Sequence, residues 1–375
     1  MAFAKPGGSH EQRLVAAAPD SFKGTCGATE VAQAVAIGAR RAGWACDCCP
    51  LSDGGEGFAQ ALASHTPKGQ GRWETTIVTG PLGAEVAARW WWSPSEAVLE
   101  SAAASGLVLA GGASGNDPLA ATSRGTGELI AAALRSGASR LLVGLGGSAS
   151  TDGGLGALEA LDSAGGLGEA EVLVACDVLT SFVDAASQFA PQKGASSAQV
   201  TELQERLLAL GDRYLERFGV DVTCMPRAGA AGGLAGGLAA LGATLVGGLD
   251  LVAERAGLDR RIGAAELVIT AEGCLDSSSW SGKVVGEVLQ RARLANVPAV
   301  VLAGTVGQGG LLVPAGSATA GPDRGDEARF NQDPEPERYA QVEVVSLAER
   351  FGLARALVEP ASCIEEVVRE LLEAR

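Results

Sequence analysis

A short apolar run, then a loop dense in glycine, carboxylate and hydroxyl, then an Ala-rich stretch of helical spacing: this unit recurs along the chain and leaves few folds open. Residues 14–18 run into Pro19-Asp20-Ser21-Phe22-Lys23-Gly24 and then 28–42, which sets Val31, Val35 and Gly38 on one face. The weaker run 45–51 leads to Asp53-Gly54-Gly55-Glu56-Gly57 and a helix over 56–65. A helix over 125–136 precedes the run 141–145, which feeds 146–154 (GGSASTDGG). The run 267–270 feeds 272–283 (EGCLDSSSWSGK), followed by a helix over 286–295 and a strand over 299–303. Strand–helix–strand repeats of this kind build parallel sheets with helices on their faces. Such sheets bind ligands beyond the carboxyl ends of their strands, where these four loops fall.

Other stretches break the pattern. Residues 73–78, 85–92 and 97–99 alternate as short strands, and Trp90, Trp91 and Trp92 are expected to bury in a mixed or antiparallel sheet. The region 165–261 stands apart and carries a helix over 197–218. The expected fold is therefore α/β: a discontinuous parallel-sheet domain (1–70, 118–163 and 263–375) with a second α/β domain inserted (71–117 and 164–262). The site loops are expected to face the interdomain cleft. Residues 1–12 read as a disordered lead-in, and 307–339, rich in Gly, Pro, Asp and Glu, as a loop insertion. A strand over 341–346 and a helix over 364–374 close the chain.

At 375 residues with a net charge of −15, the chain suits two domains and offers no basic stripe for a nucleic acid. Residues 228–249 are uncharged, but glycines supply about as many positions as strongly apolar residues, so a buried glycine-rich loop and helix is expected and no membrane partner. Eight cysteines without metal-ligand spacing and only two histidines disfavour a zinc site or a Ser/His triad, and suit reduced thiols in the cytoplasm.

Lysine is scarce: five of the 29 basic residues, and Lys23, Lys193 and Lys283 lie in or beside Gly-rich, acid-containing loops. A compact ammonium there suits phosphate, against the plainer reading of a solvated surface lysine. No Walker A sequence occurs, so phosphates would instead meet backbone amides of Gly146, Gly147 and Ser148, with Thr151 and Asp152 beside them.

Taken in order, the motifs resemble the bacterial-type glycerate kinases. They are APDSFKG (18–24), LSDGGEG (51–57), TGPLG (79–83), TSRGTGE (122–128), GLGGSASTDGGLG (144–156), ACDV (175–178), PQKGA (191–195), AGAAGGLAGG (228–237) and LVITAEGCLDSSSWSGK (267–283). The resemblance implies a two-domain α/β kinase, the discontinuous domain flavodoxin-like and the other inserted into it, that moves the γ-phosphoryl of ATP, with Mg²⁺, to D-glycerate, giving 2-phosphoglycerate or 3-phosphoglycerate. A homodimer is left open. In that frame Asp177, at the end of an apolar strand, is the expected base, and Lys193, Lys283 and Asp20 complete the catalytic set. Lys23 joins the 146–152 loop in holding the nucleotide. Ser123, Arg124, Asp53 and Glu56 would bind substrate, Arg124 forking its carboxylate or else forming a surface ion pair. Asp20, Asp53 and Asp276 are the expected Mg²⁺ ligands, although Asp20 also suits a turn cap. The chain departs from the family pattern in a shortened 162–173 segment, in Leu179-Thr180-Ser181-Phe182-Val183 where the family has Asn-Pro-Leu, in Ala271 within the TGEG motif and in Ser278. These departures define the alternative, a catalytically impaired relative that binds a nucleotide or hydroxy acid. A phosphatase is disfavoured by the absence of a DxD signature.

Overall fold

The computed structural model describes residues 12–67, 69–280, 283–308 and 342–375. The expected lead-in up to residue 11 and the loop insertion from 309 lie outside the described residues. The strands are β1 (Leu14–Ala17), β2 (Ala45–Cys48), β3 (Arg72–Thr79), β4 (Glu85–Ser93), β5 (Glu96–Glu100) and β6 (Arg140–Gly144). They continue with β7 (Glu171–Ala175), β8 (Thr244–Val246), β9 (Leu267–Leu275), β10 (Ala299–Val306) and β11 (Glu343–Ser346). Two compact units result, one from residues 1–50 and 257–375, the other from 51–256.

In the first unit every strand pair is parallel, in the order β11-β10-β9-β1-β2. Val15, Ala16 and Ala17 of β1 and Val268 and Ile269 of β9 are fully buried, as strands covered on both faces must be. Counted within the unit, the order is 2-1-3-4-5, the flavodoxin-like arrangement, whose crevice opens where the winding reverses between β1 and β9. Helix Ala28–Arg41 joins β1 to β2, and Glu30 accepts a hydrogen bond from Gly27 N at 3.0 Å to close its first turn. Gly38 lets this helix approach Pro360–Glu373 closely: a Cβ there would stand 2.7 Å from the Glu365 carbonyl.

The second unit holds a six-stranded sheet, β3-β4-β5-β6-β7-β8, antiparallel from β3 to β5 and parallel from β5 to β8. The tryptophans behave less uniformly than expected. Trp90 is buried and donates to Thr76 Oγ1 at 3.0 Å, whereas Trp91 and Trp92 are only partly covered, Trp92 beneath the Arg72 guanidinium.

The boundaries differ from those expected. Segments 51–70 and 118–163 belong to the second unit, because β6 pairs with β5 and β7 and not with the five-stranded sheet. Residues 257–262 go the other way, into helix Leu258–Ala264 of the first unit. Residues 228–249 fold as a glycine-rich turn, helix Leu234–Ala240 and β8. No helix among the described residues is long and apolar enough to cross a membrane.

Candidate functional site

In the first unit, two loops gather at the reversal between β1 and β9. Gly273 of β9 runs beneath the 19–24 loop, so that a Cβ on it would lie 3.0 Å from Phe22 Cα. Asp20 is buried and accepts from Ser21 N at 2.7 Å, a local turn bond of the kind a capping carboxylate makes. Glu272 is also buried, and desolvation pushes its carboxyl above the usual range despite Ser279, Lys283 and Lys23 nearby. Glu272 Oε1 and the Ser21 hydroxyl are buried polar oxygens that meet no partner among the described residues. Asp276 is half-buried, and Ser278 holds it below the carboxylate range by donating from Oγ at 2.6 Å and from N at 2.8 Å. Lys283 Nζ then donates to Ser278 Oγ at 2.7 Å. The substituted Ser278 is thus the link between Asp276 and Lys283.

In the second unit, Asp177 follows β7 and faces the start of helix Gly248–Ala256, accepting from Gly248 N at 3.0 Å and Leu249 N at 3.2 Å. Those amides favour the anion. Burial nonetheless wins, and with Asp53 adding its charge the Asp177 carboxyl rises to about 7. The 53–57 loop is pressed against this point: a Cβ on Gly248 would stand 2.5 Å from the Asp53 carbonyl, and one on Gly54 3.1 Å from that of Ala175. Glu100, at the end of β5, accepts from Ala59 N at 2.8 Å and so ties down helix Phe58–Ser64 behind the same loop. Helix Phe58–Ser64 starts later than expected, leaving Glu56 in the loop.

The 146–154 loop divides the expected nucleotide residues into two kinds. Among the described residues no backbone hydrogen bond consumes the amides of Gly146, Gly147 or Ser148, and the buried Thr151 hydroxyl meets no partner. Asp152 is instead fully occupied. It accepts from Ser123 Oγ and N, both at 2.8 Å, from Gly154 N at 3.1 Å and from Gly156 N at 3.2 Å. Its role is to bind this loop to the 122–128 loop, not to hold a ligand. Asp152→Ala should therefore cost about 3 kcal/mol, since several buried donors lose their acceptor, read as a lowered Tm.

The same contacts correct three further expectations. Ser123 is fully buried, and its hydroxyl also accepts from Ala157 N at 3.1 Å, so it is closed to substrate. Arg124 pairs with Glu128 at 3.1 Å along its own helix and with Glu159 of helix Leu155–Ala164 at 3.8 Å, the ion-pair reading. Lys193 is 4% exposed and turns its ammonium to the Ser150 carbonyl. Burial lowers its pKa to about 8, against the pull of Asp152. It acts as a positioning residue beneath the loop. Asn116 holds the same region by donating to the carbonyls of Lys193 at 2.9 Å and Ala149 at 3.2 Å; nothing in its sequence setting marked it.

The three expected Mg²⁺ ligands are not one cluster in either unit: Asp20 and Asp276 lie in the first, Asp53 in the second. Among the described residues no group of three or more His, Cys, Asp or Glu side chains is placed to hold a metal ion. Mg²⁺ that arrives on nucleotide phosphates needs only one or two carboxylates, and Asp53 offers the hard oxygens it takes.

A model of the Glycerate kinase family matches residues 15–165 and 162–320. The chain belongs to the glycerate kinase family. It is 40% identical over 327 residues to the Glycerate 2-kinase of Escherichia coli K12, covering 77% of this chain and 84% of the relative. It is 37% identical over 325 residues to a Glycerate kinase of Bacillus subtilis 168, at 77% and 84% coverage. The solved structure of a candidate glycerate kinase 2 from Salmonella typhimurium LT2 superposes with a TM-score of 0.74 at 29% identity, over 97% of this chain and 98% of that one. The two family matches overlap at 162–165, at the start of the 162–173 segment expected to depart from the family pattern. There helix Leu155–Ala164 and a turn with Gly165 and Gly166 at positive φ carry it to β7, which stays in parallel register with β6 from Glu171 to Ala175. The altered 179–183 loop buries Phe182 against Leu207 and Tyr214. Neither departure from the glycerate kinase pattern displaces Asp177.

Proposed function

We propose that this glycerate kinase family member transfers the γ-phosphoryl of ATP to the 2-hydroxyl of D-glycerate. The observation that carries the reading is Asp177: a half-buried carboxyl at a strand end, raised to about 7 by desolvation and by Asp53, hence able to take a hydroxyl proton near neutral pH. Phosphoryl transfer asks the protein mainly for positioning and charge neutralisation. Here the amides of Gly146, Gly147 and Ser148 take the nucleotide phosphates, with the Thr151 hydroxyl beside them. Asp53 would hold Mg²⁺, which when bound would neutralise charge on the transferred group. The first unit, taken by itself, offers Lys23 and Lys283 as cations and Asp20 and Asp276 as carboxylates.

The test is purified protein with Mg-ATP and D-glycerate, following ADP release and identifying the product by phosphorus NMR. D-glycerate-dependent ADP release with 2-phosphoglycerate is expected. A 3-phosphoglycerate product would overturn the assigned hydroxyl, and no turnover by folded protein would overturn the activity. The role of Asp53 has its own signature. Removing its charge in Asp53→Asn lowers the Asp177 pKa, so the acid limb of the kcat/KM profile should move from near pH 7 toward lower pH, whatever happens to its height.

A further inference from the structure

With Arg124 engaged by Glu128 and Glu159, a hydroxy-acid substrate lacks the cation expected for its carboxylate. The need is acute near Asp177, because Asp53 adds a second negative charge there. One guanidinium meets it. Arg227 Nη1 donates to the Cys176 carbonyl and stands 3.9 Å from Asp177 Oδ1, with the side chain 26% exposed. The Cys176 thiol also lies against this side chain, but among the described residues Nε and Nη2, the edge that forks a carboxylate with two parallel bonds, donate to no oxygen.

The backbone makes this arginine unusual. Arg227 has φ +73°, in a turn where Gly232 and Gly233 take +68° and +89°. Glycine fills such positions without steric cost, whereas a side chain there is held against backbone preference. The side chain that bears this cost reaches the carboxylate carrying the proposed chemistry.

We propose that Arg227 binds the carboxylate of the hydroxy-acid substrate and sets the hydroxyl of the adjacent carbon beside Asp177. The proposal rests on the glycerate kinase reading and deepens it. The short span between the guanidinium and Asp177 favours a 2-hydroxy acid, because a 3-hydroxyl lies one carbon farther from the bound carboxylate. It also distinguishes the acid from glycerol, which has hydroxyls but no carboxylate.

Arg227→Gly and Arg227→Lys test it. The glycine variant relieves the positive φ and should keep a Tm at or above wild type; the lysine variant keeps the charge but loses the fork. In Arg227→Gly, KM for D-glycerate should rise by about 100-fold, the scale of a lost charge-assisted pair, with KM for ATP and the kcat/KM for glycerol nearly unchanged. Arg227→Lys should fall between. An unchanged KM for D-glycerate in folded Arg227→Gly overturns the proposal. Should the wild type turn over no D-glycerate, the kinase reading fails by itself, and thermal shift decides the arginine. Stabilisation of wild type but not of Arg227→Gly by D-glycerate upholds carboxylate binding, and stabilisation of both or of neither refutes it.

Discussion

Asp177→Asn should lower turnover by about three orders of magnitude, the upper part of the range for losing a general base, while making the folded protein more stable at pH 8. Both effects have one cause. The native carboxyl titrates at about 7 and the ordinary value is 3.8, so the native state carries a raised pKa. Stability from this group is fully present below the unfolded value and is lost as pH rises through about 7. At pH 8 the wild type thus bears a penalty on the order of 3 kcal/mol that asparagine does not. Asparagine still offers one oxygen to the amides of Gly248 and Leu249. The expected result is a Tm for Asp177→Asn several degrees above wild type at pH 8, converging toward pH 4. Wild-type turnover in the variant would remove Asp177 from the mechanism, and a Tm difference independent of pH would remove the explanation from its burial.

Lys193→Met should lower turnover by about 100-fold and raise KM for ATP, because the ammonium supports the Ser150 carbonyl beneath the 146–154 loop. Here the sign runs the other way. The native pKa is depressed from 10.5 to about 8, so the charged form is disfavoured by folding, and wild-type stability increases as pH rises from 8 to 10.5. Methionine fills the site without charge, so any Tm advantage over wild type should be greatest below pH 8 and shrink above it. The kcat/KM profile of wild type should fall near pH 8 as Lys193 loses its proton, and that limb should be missing from the variant. With Asp177 active above about 7, the optimum is confined to roughly pH 7 to 8. A KM for ATP unchanged in Lys193→Met would show that the loop it supports does not hold the nucleotide.

The parallel sheets were legible because their strands are continuous apolar runs ending in glycine-rich loops, and the helix Ser197–Phe218 because its apolar spacing is long and capped by Ser196. The sheet that β6 joins was not. A run such as 141–145 suits any parallel sheet, and only its pairing with β5 and β7, fixed by segments distant in sequence, decides. The site shows a similar limit. Asp177 and Asp53 stand out in the sequence as carboxylates at strand ends, but a polar loop with open donors reads like one that ties another loop, so the contacts of Ser123, Arg124 and Asp152 were not legible there. Arg227 left one trace, a bulky charged residue opening a run of small ones, and its meaning lies in a φ that the sequence does not display. Glu100 ended a strand with no glycine beside it, so nothing separated it from a surface carboxylate.

The pairing of Val15 with Leu267 closes the first sheet across more than two hundred intervening residues, whereas the second unit is a single continuous stretch. During synthesis, β1 and β2 leave the ribosome long before β9, the central strand they need. The 51–256 segment can assemble as soon as it emerges, but the nascent β1–β2 pair must keep an apolar edge unsatisfied until residue 267 appears. The interrupted sheet is therefore the last to form and the stage most exposed to mispairing, so the folding yield of this enzyme depends on how well that waiting edge is protected.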